Sequence, residues 1–156
     1  MNRVTSLFSM SKIDDYISKL NKIDEAFIEQ GILDIIIKHG NLLIDLNQGQ
    51  LQQGVNSKGR QLKGYQSNAY AKFKNQLNSL PGLGTPDLKL TGAFYSGWYI
   101  QEDSFPITMN SSDVKTQELI EKYGKEIFGL DKDSLVTLRE AVKPDIQELF
   151  KSILQL

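Results

Sequence analysis

The chain contains no cysteine and a single histidine among its 156 residues. The absence of cysteine excludes disulfide bonds, thiolate nucleophiles and cysteine-ligated metal sites. It also fits folding in a reducing compartment, because disulfides are rare there. The histidine, His39, lies in an apolar stretch without a second histidine nearby. We therefore interpret it as a core or interface residue rather than a metal ligand or general base.

Motifs of common catalytic sites are missing as well. The sequence has no Gly-X-Ser-X-Gly elbow, no HExxH and no Walker sequence. Gly82-X-Gly84 lacks the third glycine of a dinucleotide-binding loop. Asp131-X-Asp133 lacks the glycine and the downstream glutamate of a calcium loop, so we expect Asp131 to cap a helix instead. The sequence thus predicts no enzyme, no cofactor and no metal site.

Neither the net charge nor the hydropathy of the chain indicates that it binds nucleic acid or a membrane. The net charge of −1 creates no field that would recruit nucleic acid or a membrane surface. The most apolar stretch, Ile32–Leu46, is interrupted by Asp34, Lys38, His39 and Asp45 and is therefore unable to span a bilayer. We expect no membrane partner.

Apolar spacing predicts a single α+β domain over residues 1–156, with helices at both ends and a small antiparallel sheet between them. A stripe at helical spacing predicts the first helix: Ile13, Tyr16, Ile17 and Leu20. A long helix is predicted over residues 23–46 and is weakened at Gly31 and Gly40. Its apolar residues lie on more than one face, so we expect burial from two sides, by the sheet or by a neighbouring subunit.

The second half of the chain predicts the sheet and the C-terminal helices. Residues Trp98–Asn110 alternate as in a β-hairpin, and Pro106 favours an edge position for the returning strand. A helix is predicted from a Ser112-Asp113 cap to Gly124. The last helix begins after Asp131, and Pro144 should kink or split it.

The middle of the chain is basic. No acidic residue lies between Asp45 and Asp87. The same window holds five cations, which are candidate partner-binding residues: Lys58, Arg60, Lys63, Lys72 and Lys74. Glycines and prolines punctuate residues 47–86, which predicts an extended loop or arm with a short helix at 67–77. The arm is either a solvated surface or a segment that docks on an acidic partner or lines a DNA passage.

Aromatic residues interleave with these cations, at Tyr65, Tyr70 and Phe73. Such a pattern is typical of an amphipathic helix with its aromatic side chains turned inward. It also allows a stacking platform for single-stranded nucleic acid.

Three stretches, in this order and at this spacing, resemble the phage virion-morphogenesis (tail-completion) family, which is related to tail-terminator and head–tail joining proteins. They are Gly54–Leu62 (GVNSKGRQL), Leu88–Ser96 (LKLTGAFYS) and Phe128–Leu135 (FGLDKDSL). The residues that form the structural motif are Thr91, Gly92, Phe94, Phe128, Gly129 and Leu130. The chain departs from the family pattern at Leu62, which replaces a frequent tryptophan, and at Ala93, which replaces a basic residue.

The resemblance implies a non-enzymatic virion protein of the phage neck or tail end, assembled in the host cytoplasm. It implies a homo-oligomeric ring that completes the tail or joins it to the head, with portal, connector or tail-tube proteins as partners and packaged DNA in the ring lumen. A different class of function stays open, namely a small cytosolic nucleic-acid-binding adaptor or regulator that uses the basic segment 47–80.

The third stretch also leads to an expectation about packing. The tight entry into the last helix should drive Phe128 into the core against Trp98 and Ile100. Leu135, Leu138 and Val142 should continue the same seam along the helix.

Overall fold

The computed structural model describes residues 13–21, 25–102 and 106–154. Its elements, in chain order, are α1 (13–20), α2 (Glu25–Lys38), α3 (Gly40–Gln52), α4 (Asn68–Leu77), α5 (Ala93–Ser96), β1 (Trp98–Gln101), β2 (Thr108–Ser111), α6 (Thr116–Tyr123), a 3₁₀ turn (Lys125–Ile127) and α7 (Lys132–Leu154). The predicted α+β fold is confirmed, because helices lie at both ends and a two-stranded antiparallel sheet lies between them.

The long helix predicted over 23–46 is two helices, α2 and α3, which meet at His39. Gly40 follows the break and allows strand β1 to approach, since a Cβ there would lie 2.9 Å from Cδ1 of Ile100. Two side chains at the break bind α7: Lys38 Nζ and His39 Nε2 each donate to Asp145, both at 2.6 Å. These hydrogen bonds, first from Lys38 and then from His39, hold the pKa of Asp145 below its usual range.

Together α2 and α3 form a bent rod that runs antiparallel to α7. Gly31 faces the C-terminal part of α7, where its missing Cβ would lie 2.8 Å from Cδ2 of Leu149. Gln50 lies at the other end, where its Oε1 accepts from the backbone N–H of Asp131 at 2.9 Å. These two contacts are about 27 Å apart along α7, at 1.5 Å per helical residue. The two ends of the rod therefore lie at opposite ends of the domain.

A hydrophobic cluster fills the space between the rod and α7. Its buried members are Ile35, Leu43, Leu130, Leu138 and Val142. The apolar density of residues 32–46 is thus buried largely by α7, with Ile100 of the sheet also in contact, and needs no neighbouring subunit. Leu138 and Val142 are buried here with Ile100, whereas Trp98 and Phe128 belong to a separate cluster, so the predicted common seam does not form. The prediction for Leu135 is also wrong, because its side chain is 48% exposed.

A second, aromatic cluster lies beside the sheet. Its buried members are Leu51, Leu62, Phe94, Tyr95, Trp98 and Ile127. The half-buried ring of Phe128 packs against it, with centroids 4.9 Å from Trp98. The predicted contact of Phe128 with Trp98 is therefore confirmed, although its neighbour Ile127 is the more deeply buried residue.

The predicted hairpin is also confirmed. β1 and β2 are antiparallel, with Trp98 opposite Ser111 and Ile100 opposite Met109. The predicted turn and the first residue of the return strand fall partly on residues 103–105, which lie outside the described part of the chain. The burial of Trp98 on one face agrees with the alternation in the sequence.

The C-terminal helices begin and end close to the predicted positions, with two differences. α6 begins at Thr116, later than the Ser112-Asp113 signal, and it ends at Gly124, whose φ of 89° an L side chain would strain. Asp131 caps α7 as predicted, since its Oδ1 accepts from the N–H of Ser134 at 2.9 Å. α7 then runs as one helix through Pro144, so the predicted split does not occur.

The middle segment is folded against the domain rather than extended. Residues 47–52 belong to α3, and Asn47 and Leu51 are fully buried. The loops on either side of α4 bury Leu62 and Pro86, and a short antiparallel bridge closes the turn at 56–59. The predicted short helix is confirmed as α4, whereas an arm over the whole of 47–86 is not.

A glycine is required at position 54, because its backbone has a positive φ and neighbouring atoms leave no space for a Cβ. Its φ is 74°, and a Cβ there would overlap Cγ2 of Thr85 and lie 3.1 Å from the carbonyl oxygen of Pro86. Gly59 has a similar φ of 69° but open space around it.

We expect Gly59→Ala to lower the free energy of unfolding by about 1–2 kcal/mol, the cost of the left-handed conformation. Gly54→Ala should cost about 1–3 kcal/mol more because of overpacking. Urea unfolding of both variants measures the difference, and equal midpoints would contradict it.

Candidate partner-binding surface

Helix α4 presents an apolar stripe to solvent and buries the charged side chain of Lys74. The stripe consists of Tyr70, Phe73 and Leu77, of which Phe73 is 46% exposed. Ala71 and Lys74 are buried on the opposite side. The interpretation with the aromatic side chains turned inward is therefore wrong. We call these three residues the α4 stripe.

A buried ion pair holds α4 in this orientation. Lys74 Nζ lies 2.8 Å from Oδ1 of Asp87, and both side chains are almost completely buried. Lys74 also donates to the backbone carbonyl of Lys89, and the second carboxylate oxygen of Asp87 accepts from Nδ2 of Asn78 at 3.1 Å. Burial of two charges is tolerated when they pair and their remaining donors and acceptors are satisfied. Lys74 is thus a structural residue, and its prediction as a partner-binding residue is wrong.

Tyr95 extends the same network toward the aromatic cluster. Its hydroxyl donates to the backbone carbonyl of Asp87 at 2.5 Å. Burial, and secondarily the negative charge of Asp87, raises the pKa of Tyr95 above its ordinary value. The ring therefore stays neutral at physiological pH and acts as a hydrogen-bond donor.

The other four predicted cations differ in their availability. Lys58 donates to the carboxylate of Glu126, and this hydrogen bond lowers the pKa of Glu126. Arg60, Lys63 and Lys72 have exposed side chains. The predicted cations that remain available to a partner are therefore these three residues, of which Lys72 lies on α4.

A groove of about 660 Å³ lies beside α4, between the segment 86–94 and α6. Its lining includes Tyr65, Tyr70 and Leu90, together with Lys115, just before α6, and Lys122 of α6. Three of the motif residues also line it: Thr91, Gly92 and Phe94. Gly92 precedes α5 with a φ of 90°, and Oγ1 of Thr91 accepts from the N–H of Ala93 at 3.3 Å. The Thr-Gly pair thus forms the turn into α5.

The three family-like stretches pack together in space. The backbone N–H of Ser57 in the first stretch donates to the carbonyl of Glu126, just before the third, at 2.9 Å. The rings of Phe94 in the second and Phe128 in the third are 5.9 Å apart. Gly129 allows the close approach, because its φ is 120° and a Cβ there would lie 3.1 Å from Cβ of Ser57.

Two amides of α3 fix the backbone of the third stretch. Asn47 donates to the carbonyl of Ile127 at 3.1 Å and accepts from the N–H of Gly129 at 2.7 Å. Gln50 Nε2 donates to the carbonyl of Gly129 at 2.7 Å. Leu130, the last motif residue, is buried in the cluster against α7. The sequence does not predict a role for either amide, because both stand in a polar stretch whose composition is typical of a loop.

A second apolar stripe is exposed near the N-terminal end of the described chain. It lies on α1 and consists of the residues that predicted this helix: Ile13, Tyr16, Ile17 and Leu20. All four side chains are exposed in the single chain. We call this set the α1 stripe. Both stripes have the apolar composition of surfaces that proteins bury in an interface.

The described residues give no indication of a metal site or a membrane span. Within 13–21, 25–102 and 106–154, no group of three or more His, Asp or Glu side chains could hold a metal ion. No helix in these ranges is long and apolar enough to cross a bilayer.

No protein-family model matches the chain, and no match was found among curated proteins or solved structures. Functional inference therefore depends on the three stretches of sequence and on the surfaces described above.

Proposed function

We propose that this protein is a non-enzymatic structural component of a tailed phage, located at the neck or tail end of the virion. It forms a homo-oligomeric ring that completes the tail or joins it to the head. The observation that supports this proposal is the convergence of the three family-like stretches on one packed unit, through the Ser57–Glu126 hydrogen bond and the Phe94–Phe128 contact.

The exposed surfaces agree with an assembly role. Two exposed apolar stripes lie on different helices, and α4 also carries the exposed cation Lys72. Portal, connector or tail-tube proteins are the partners that the proposal names, and packaged DNA would run through the ring lumen. The protein would join the particle in the host cytoplasm.

Disruption of the gene in the phage genome that encodes it tests this proposal. We expect filled heads and separate tails to accumulate in electron micrographs, with loss of infectious particles. Complementation in trans should restore joined particles. Unchanged plaque formation after disruption, or a gene that lies outside any cluster of capsid, portal and tail-tube genes, would falsify the proposal.

The exposed cations provide a prediction about partner binding. Reversal of Arg60, Lys63 and Lys72 to glutamate should leave the melting temperature nearly unchanged, because exposed substitutions usually alter stability by no more than about 0.5 kcal/mol each. Joining of heads and tails should fall, since a basic surface would be replaced by an acidic one. Lys58 is left intact because it binds Glu126.

A matched triple variant tests whether the location of the substituted cations or only the change in net charge affects particle joining. Lys125, Lys132 and Arg139 are also exposed cations, and they lie outside the basic segment. Their reversal to glutamate changes the net charge by the same amount and should leave particle joining intact. Equal loss in both triple variants would mean that net charge, rather than this surface, decides assembly.

A second candidate function, the nucleic-acid-binding adaptor or regulator, is favoured by the exposed rings of Tyr70 and Phe73 beside Lys72. Bases stack on such rings, at about 1–3 kcal/mol per base. A gel shift of single-stranded DNA by the purified protein, weakened by salt and by Phe73→Ala, would support the adaptor. Absence of a shift at low salt would exclude it.

A further inference from the structure

We infer that the groove beside α4 binds a short acidic segment of a partner protein, with an apolar side chain of that segment inside the groove and its carboxylates on Lys115 and Lys122. This inference names the kind of contact that the proposed assembly would use, and it rests on the proposed function only for that role. The lining of the groove and its unpaired cations support it within the single chain.

The groove has the size and lining of a binding site. Its volume of about 660 Å³ lies within the range of about 300–1,000 Å³ that is typical of ligand sites. The rings of Tyr65 and Tyr70 meet edge to face at 5.0 Å on one side, and Phe94 and Leu119 line it from the aromatic cluster. Leu90, which also lines it, is 54% exposed. An apolar side chain of a partner would therefore find apolar and aromatic neighbours there.

Two lysines border the groove on one face of α6. Lys115 and Lys122 both line it and are seven positions apart, with Leu119 between them. Seven residues make about two helical turns, so the two positions lie on the same side of the helix and about 10.5 Å apart. A segment that follows α6 thus meets a cation, an apolar side chain and a second cation in turn.

The positive charge of these lysines is available to a partner. In the part of the chain that the structure describes, neither Lys115 nor Lys122 forms an ion pair, and Lys89 lines the groove without one as well. The fourth lysine of the lining, Lys74, is neutralised by Asp87. A carboxylate of the partner would therefore compete with no existing pair.

Two carboxylates in the same lining favour a peptide over a nucleic acid. Asp113 accepts from the backbone N–H of Lys115 at 2.7 Å, and Glu118 is exposed. A nucleic-acid strand carries a phosphate at every nucleotide, so both carboxylates would repel it. A peptide carries its charges only at chosen positions and can place them opposite the lysines. The mixed charges of the lining thus fit an acidic peptide segment.

Fluorescence anisotropy of labelled five-residue peptides with the full chain tests the inference. The peptide DLFLD places both aspartates and the phenylalanine on one side of an extended backbone, with the aspartates about 13 Å apart. NLFLN lacks the charges, and KLFLK reverses them. We expect saturable binding of DLFLD, weaker binding of NLFLN and no binding of KLFLK.

Variants of the chain locate the contact. Lys115→Glu with Lys122→Glu should weaken binding of DLFLD by about tenfold or more, because two pairs are lost and two repulsions are added. Leu90→Ala should weaken both DLFLD and NLFLN. The matched control is Lys132→Glu with Arg139→Glu, since these exposed cations lie on α7 outside the groove. It should bind DLFLD like the native chain.

Thermal melts establish that each variant is folded, and glutamine replaces both lysines if the glutamate variant is not. Absence of DLFLD binding, equal binding of the three peptides, or equal loss in the control would each overturn the inference. Displacement of DLFLD by single-stranded oligothymidine would also overturn it and assign the groove to nucleic acid.

The outcomes also separate this inference from the proposed function. Binding of DLFLD by the native chain, in a phage whose particles join normally without the gene, would retain the groove as a peptide site and reject the neck or tail role. Unjoined heads and tails after gene disruption, together with a chain that binds none of the peptides, would do the reverse.

Discussion

Asp87→Ala is expected to destabilise the fold by about 3–5 kcal/mol, which is the usual cost of leaving one member of a buried ion pair without its partner. Lys74 would remain buried and charged, with the carbonyl of Lys89 as its acceptor. A loss of this size is a large fraction of the total stability of a small domain. Chemical denaturation at neutral pH measures it, with Asp133→Ala on the exposed first turn of α7 as the control.

The double variant Lys74→Met with Asp87→Leu tests whether the loss of stability comes from the unpaired charge or from substitution at these positions as such. Replacement of both charges by apolar side chains of similar volume is often close to neutral. We therefore expect the double variant to be much more stable than Asp87→Ala. If Asp87→Ala and Asp133→Ala shifted the midpoint equally, the ion pair would not be what holds α4 in its orientation.

The orientation of α4 also explains where sequence reasoning failed. Tyr70, Phe73 and Leu77 have the spacing of a core-facing stripe, and periodicity alone assigns such a stripe to the interior. Asp87 overrides this assignment by binding Lys74 from a separate loop. That pairing is a tertiary contact across thirteen positions of sequence, and no local pattern records it.

Local signals were reliable where the decisive chemistry is local. The hairpin at Trp98–Asn110 follows from alternation, the N-terminus of α7 follows from an Asp131 cap, and the end of α6 follows from Gly124. Each depends on residues within one turn or one strand pair. These elements were therefore predictable from the chain alone.

The loop after α3 begins later than the sequence predicts, because residues 47–52 are helical, and the physical reason is a different one. Asn47 and Gln50 are polar, so the sequence favoured solvent-exposed loop at these positions. In the fold they are buried because the backbone at Ile127 and Gly129 needs donors and acceptors away from water. In the sequence, an amide side chain that is buried against distant backbone looks the same as one that is exposed to solvent. Its burial is therefore predictable only once its backbone partner is known.

The last prediction compares Ile127 and Phe128, neighbours in sequence with different burial. Ile127 is fully buried in the aromatic cluster, whereas Phe128 is half-buried and packs on Trp98. Ile127→Ala should lower the free energy of unfolding by about 2–5 kcal/mol, the range for a buried aliphatic side chain. Phe128→Ala should cost less than the 3–5 kcal/mol that is typical of fully buried phenylalanine.

Thermal melts of the two variants decide the order, with Glu126→Ala as the surface control, for which we expect a small shift. Ile127→Ala should melt at a clearly lower temperature than Phe128→Ala, because Ile127 is enclosed by other residues and its truncation leaves an internal cavity. The reverse order would make the Phe128–Trp98 contact the main anchor of the cluster. A negligible shift for Phe128→Ala together with loss of oligomers would assign that ring to an interface between copies rather than to the core.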